Sequence, residues 1–112
     1  MEERNGIFIF ENRTCYYSNG LLHRLDGPAV VRSNGSKQWY KEGKLHRLDG
    51  PACEFFDGTK HWYFEGNLHR LDGATIENPH SNKAFFINGK MYSKKEWKRI
   101  SFAILNNLEV FI

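Results

Sequence analysis

Long hydrophobic runs are missing from this chain. Its apolar stretches reach about five residues, against the ~20 that a membrane-spanning helix needs. No secretory leader pattern opens the sequence. Cysteine is scarce: Cys15 and Cys53 have no motif spacing, which argues against a disulfide framework and for a reducing compartment. The expectation is a soluble, cytoplasmic protein, in the host cytoplasm if a virus encodes it. Charge of one sign is lacking too. Lys and Arg total 16, Asp and Glu 13, for a net +3 over 112 residues. That permits contact with nucleic acid or with an acidic protein and demands neither. Aromatic residues, by contrast, are plentiful, with nine Phe, five Tyr and three Trp. They supply core material for a single domain of this length.

What is present is a repeat. "LHRLDGPA" runs from Leu22 to Ala29 and again from Leu45 to Ala52, and "LHRLDGAT" follows from Leu68 to Thr75. His23, His46 and His69 stand 23 residues apart. Asp26, Asp49 and Asp72 keep that step, as do Gly20, Gly43, Gly66 and Gly89. So do the aromatic pairs Tyr16-Tyr17, Trp39-Tyr40, Trp62-Tyr63 and Phe85-Phe86. Gly35 and Gly58 share a column with Ser81, and Ile7 shares one with Val30, Cys53 and Ile76. Columns in phase over most of a chain mark a repeat architecture.

Each unit has a β-prone run, a turn with Gly35 or Gly58, and a second aromatic run closed by glycine. This pattern predicts a β-hairpin. Hairpins are expected at about 6–18, 29–41, 52–64 and 74–87, with "NLHRLDG" as the link between them. One such hairpin buries too little to stand alone. The fold class expected is therefore mainly β, with hairpins stacked into an elongated antiparallel meander over residues 1–92. Ile7, Val30, Cys53 and Ile76 should form the inward ladder. Successive aromatics in a strand point to opposite faces, so rings should occur on both. Residues 93–112 form a C-terminal cap. Ser93-Lys94-Lys95-Glu96 is a capping box, and Trp97, Ile100, Ile104 and Leu108 share a helical face. This predicts a helix at about 94–106, and "LEVFI" after it reads as a short tail with strand propensity.

The motif "HRLDG" places His, Arg and Asp close together and invites a catalytic reading. Its order differs from the kinase loop His-Arg-Asp-Leu, and no Gly-rich loop or strand lysine accompanies it. Three copies on a flat sheet supply no cleft or orienting partner, so no catalytic residue is assigned. Copies one hairpin apart lie ~10 Å from each other, too far for two histidines to share an ion whose ligands sit ~2.1 Å away. His61, His80 and Cys53 repeat no spacing. No metal or cofactor is expected.

The alternative is a structural clasp. His23, Arg24, Asp26 and Gly27, with His46, Arg47, Asp49 and Gly50 and with His69, Arg70, Asp72 and Gly73, would hold link to link. Asp would accept turn amides or pair with Arg, and His would donate to a carbonyl of the next link. Leu22, Leu45, Leu68 and Leu25, Leu48, Leu71 would seal the contact. Partner-binding candidates are then the basic and aromatic residues outside the clasp: Lys37, Trp39, Lys60, Trp62, Lys83, and Lys94, Lys95, Lys98 and Arg99 of the helix. Rings between lysines can stack single-stranded bases.

The unit resembles the membrane occupation and recognition nexus (MORN) repeat over roughly residues 6–90. The shared part is Trp39-Tyr40-Lys41-Glu42-Gly43-Lys44-Leu45-His46, continuing to Gly50 and the turn glycine Gly58. "HRLDGPA" stands where the standard repeat has a shorter His-Gly-x-Gly element, as in MORN-like repeats of small phage, large-virus and bacterial proteins. The segment Asn88 to Trp97 is similar to the helical end of the same group. The resemblance implies a non-catalytic platform for protein contacts. It implies, for a phage-borne version, an inhibitor or adaptor of a host protein such as a defence system. Two other readings stay open: a nucleic-acid or nucleotide-signal binder using the Lys and aromatic face, and a self-assembling subunit, since meander edges invite pairing.

Overall fold

A computed structural model of the chain describes residues 3–109. The strands are short, set by how often glycine turns interrupt the chain. In order they are β1 (Gly6–Ile9), β2 (Arg13–Ser18), β3 (Leu21–Leu22), β4 (Val30–Arg32), β5 (Lys37–Gln38), β6 (Tyr40–Lys41) and β7 (Lys44–Leu45). There follow β8 (Cys53–Glu54), β9 (Lys60–His61), β10 (Tyr63–Phe64), β11 (Asn67–Leu68), β12 (Ile76–Glu77), β13 (Lys83–Ile87) and β14 (Lys90–Tyr92). Among the described residues there is one helix, α1 (Lys94–Leu105), after the strands. The fold is the expected mainly-β antiparallel meander with a C-terminal helix. The main sheet runs β1-β2-β4-β5-β8-β9-β12-β13-β14, with β3 also on β2. The molecule measures 49 × 31 × 20 Å.

The four expected hairpins are β1-β2, β4-β5, β8-β9 and β12-β13. Three of them turn through three residues, the last in the left-handed region: Gly35, Gly58 and Ser81. This is the turn with an appended bulge, which only a few residue types tolerate. Asn34 and Asp57 brace it by accepting backbone N–H bonds from Ser36 and Thr59. The first hairpin lacks that residue. Phe10 N–H donates to the Arg13 carbonyl across Glu11-Asn12 alone. One residue fewer shifts the register by one and turns every side chain of the strand over. Phe8, not Ile7, therefore pairs with Cys15 in the ladder that continues through Val30, Gln38, Cys53, His61, Ile76 and Ala84. Ile7 is 60% exposed, which corrects the expected inward ladder at its first rung.

The segment read as a plain link is in fact half a second hairpin. Past Trp39 and Trp62 the chain leaves the main sheet and forms the ribbons β6-β7 and β10-β11. Their turns are Glu42-Gly43 and Glu65-Gly66, matched by Asn19-Gly20 and Asn88-Gly89 in the first and last units. Both residues of each turn have positive φ, the two-residue form whose twist suits a hairpin. Up to Cys53 the buried hydrophobic side chains are small ones: Cys15, Ala29, Val30, Ala52 and Cys53. Cys15 and Cys53 are free thiols, three strands apart in the ladder, roughly 14 Å, and beyond the ~7 Å a disulfide allows. Burial pushes the Cys53 thiol up to about 11.

Among the described residues, the one cluster of large buried side chains lies at the C-terminal end. Phe85 and Ile87 of β13 meet Trp97 and Ile100 of α1, with Leu71 and Tyr92 packed alongside. Ser93 caps the helix, accepting the Glu96 N–H on its side-chain oxygen. The buried face is Trp97, Ile100, Ser101 and Ala103. Ile104 and Leu108, expected on that face, are exposed. Beside Ile100 the buried positions are the small Ser101 and Ala103, and the helix ends at Leu105, before Leu108. The "LEVFI" tail carries no regular structure at Leu108 and Glu109, and its remainder lies outside the described residues.

Candidate functional site: the loop face

Each "HRLDG" copy folds into the same loop. Arg24 donates Nε–H to Asp26 at 2.9 Å and Nη1–H to the Pro28 carbonyl at 3.1 Å. Its guanidinium lies 4.0 Å above the Tyr16 ring. Arg47 repeats this with Asp49, Pro51 and Trp39, and Arg70 with Asp72, Ala74 and Trp62. A planar fork that hydrogen-bonds at its edge and stacks on its face is a role lysine does not fill. The Arg24 bond and charge hold the Asp26 carboxyl below the usual carboxylate range. The glycine that follows is dictated by the arginine. A Cβ on Gly27, Gly50 or Gly73 would meet the guanidinium carbon at 2.9, 2.9 or 2.7 Å.

The histidines join one unit to the next, with donor and acceptor reversed from the expectation. Nδ1 of His23 accepts the Glu42 N–H, His46 that of Glu65, and His69 that of Asn88, each at 2.9–3.0 Å. These amides belong to the strained first residue of the ribbon turn in the following unit. Next to each, the turn glycine donates to a carbonyl: Gly43 to Leu22, Gly66 to Leu45, Gly89 to Leu68. A ring that accepts on Nδ1 is neutral, with its proton on Nε2. The first unit has no histidine before it. Asn5 takes that place, its Oδ1 accepting the Asn19 N–H at 2.8 Å.

With His and Arg committed inward, the loops present what is left. Leu25 is 81% and Leu48 80% exposed, so they do not seal the clasp as expected. Only Leu71 packs, against the helix cluster. Asp26, Asp49 and Asp72 are exposed beside them. Between successive loops lie two grooves in the same phase. The first, of about 650 Å³, is lined by Leu25, Trp39, Tyr40 and Leu48 among others. The second, of about 500 Å³, is lined by Leu48, Trp62, Tyr63 and Leu71. The third position in the series is filled by α1. The Trp97 ring stands 4.9 Å from Phe85 and its Nε1–H donates to the Arg70 carbonyl at 2.8 Å.

The other candidates lie elsewhere. Trp39 and Trp62 are half-buried, one face of each covered by arginine. Lys37, Lys60 and Lys83 are exposed and stand in one cross-strand row, but the row reads Lys37, Glu54, Lys60, Glu77, Lys83. Opposite charges alternate along it, as favourable cross-strand neighbours do. Lys94, Lys95 and Lys98 are exposed on α1, and Arg99 pairs with Glu96 at 2.9 Å. His61 sits in the central ladder, edge-on to Phe55, where burial lowers its pKa. Among the described residues no group of three or more His, Cys, Asp or Glu is placed to hold a metal. No helix there is long and apolar enough to cross a membrane. Leucines at a constant phase read as core in a sequence, so the exposed pair had no signal of its own. The ribbon turns did have one, in Asn19-Gly20 and Asn88-Gly89. Comparison with family models, with curated proteins and with solved structures found no significant match.

Proposed function

We propose that this chain is a non-enzymatic protein-interaction module that docks a partner on its loop face. The observation behind this reading is the pair of leucines, Leu25 and Leu48, held out over two open grooves from loops braced by Arg24 and Arg47. Exposed large apolar side chains grouped along open grooves are a mark of interaction surfaces. The His, Arg and Asp of each loop are occupied in holding it, which leaves them no free role in acid-base chemistry. The resemblance to MORN-like platforms points the same way and suggests a host protein as the partner of a phage-borne version. The alternation of Lys with Glu on the sheet row gives nucleic acid a weaker field than a lysine ladder alone would.

The test is affinity capture from the native host with the parent chain and with a Leu25→Glu, Leu48→Glu variant. The expected result is at least one stoichiometric partner that the parent recovers and the variant does not. Identical recoveries from both, or nothing above background from either, would overturn the reading.

A further inference from the structure

Of the three equivalent positions on the loop face, one is filled, and it shows what chemistry fills it. In the last unit an aromatic side chain from a helix, Trp97, reaches across to the Arg70 carbonyl, with Ile100 buried one turn on. The two open grooves offer the counterpart groups. Leu25 and Leu48 stand where Leu71 packs against the helix cluster. The Arg24 and Arg47 carbonyls accept no hydrogen bond among the described residues, unlike that of Arg70. The second groove shares Leu71 with the α1 contact, so the open surface continues an interface the chain already makes with a helix.

The spacing also suits a helix. Each unit adds two strands to the sheet, a pitch of ~10 Å. Seven residues of α-helix rise about 10.5 Å over two turns and return to the same face. A helix laid along the row therefore sets residues i and i+7 into successive grooves.

Resting on the loop face as the docking face, we propose that both open grooves are filled together by one amphipathic α-helix of a partner protein. Its apolar anchors lie seven residues apart, one of them a tryptophan. The chain's own α1 has this spacing in Trp97 and Ile104, and so provides a probe.

The experiment titrates a fluorescein-labelled peptide of residues 93–109 into the full chain and follows anisotropy. Binding is expected, and it should weaken about tenfold or more with Leu25→Glu or Leu48→Glu in the protein, and with Trp97→Ala in the peptide. One alanine inserted after peptide position 100 turns the second anchor by about 100° off the face and should weaken binding comparably. No binding overturns the proposal. Binding that survives both leucine variants overturns it as well, since the peptide has then exchanged with α1 or bound elsewhere. Indifference to the insertion overturns the seven-residue register. A partner captured through Leu25 and Leu48 while the peptide fails would sink the helix and leave the module standing. Capture indifferent to those leucines, with no peptide binding, would sink both.

Discussion

The open units and the C-terminal end use one set of positions for opposite purposes. At positions 25 and 48 leucine faces solvent; at position 71, two units on, it packs beside Trp97 and Phe85. Over Tyr16, Trp39 and Trp62 lies an arginine from the loop; beside Phe85 lies a tryptophan from the helix. The open units are held by hydrogen bonds and stacked guanidinium groups around small buried side chains. The end is held by a cluster of large ones. The lesson is that a polar clasp can fix a stack at constant pitch without using its leucines, and what it does not use is available to a partner.

Breaking the closed end should cost most. Trp97→Ala removes a buried ring, its contact with Phe85 and the bond to Arg70, and is expected to lower the unfolding free energy by about 3–5 kcal/mol. Urea titration followed by circular dichroism checks it. Breaking one open unit should cost less. Gly50→Ala sets a methyl against the Arg47 guanidinium and must lift it from Trp39, at about 1–3 kcal/mol. A change in tryptophan fluorescence should accompany that loss if Arg47 moves.

Much of this was legible in the sequence, and what was not has physical reasons. The 23-residue step placed all four hairpins of the main sheet, and Gly35 and Gly58 marked the turns of two of them, because a residue at positive φ leaves a mark in the sequence. The clasp was legible as a role, although the direction of the His bond was not, since a neutral imidazole both donates and accepts. Ile7 was misplaced because column alignment assumes equal turns, and the first turn is one residue shorter. The ribbons were read as links because Glu42 and Glu65 hold a conformation that asparagine normally advertises. Exposure of Leu25 and Leu48 depends on where α1 stops covering the row, a tertiary fact with no local trace.

A smaller effect should come from the joint between units. His46→Ala leaves the Glu65 amide without its acceptor, at roughly 1–2 kcal/mol. His46→Asn should recover part of that, because Asn5 already serves the same amide in the first unit. Paired urea titrations of the two variants read the difference. Acid should act on His69 and His61. Burial lowers the pKa of His69 and His61 in the folded chain below the unfolded value of 6.5, so the unfolded chain takes up protons first. Their stabilisation is complete above 6.5 and is lost as pH falls from there through the lowered values. A denaturation midpoint measured from pH 7.5 to 5 should decline, and a flat profile would count against the lowered values of His69 and His61.

The most direct test of the central comparison places one substitution at two equivalent positions. Leu48→Glu and Leu71→Glu are compared in parallel urea titrations. The account predicts that Leu48→Glu stays within about 0.5 kcal/mol of the parent, while Leu71→Glu loses roughly 1.5 kcal/mol or more. Equal losses at the two positions would mean that Leu48 is a structural residue after all, and would contradict the reading of the loop face as a surface left open.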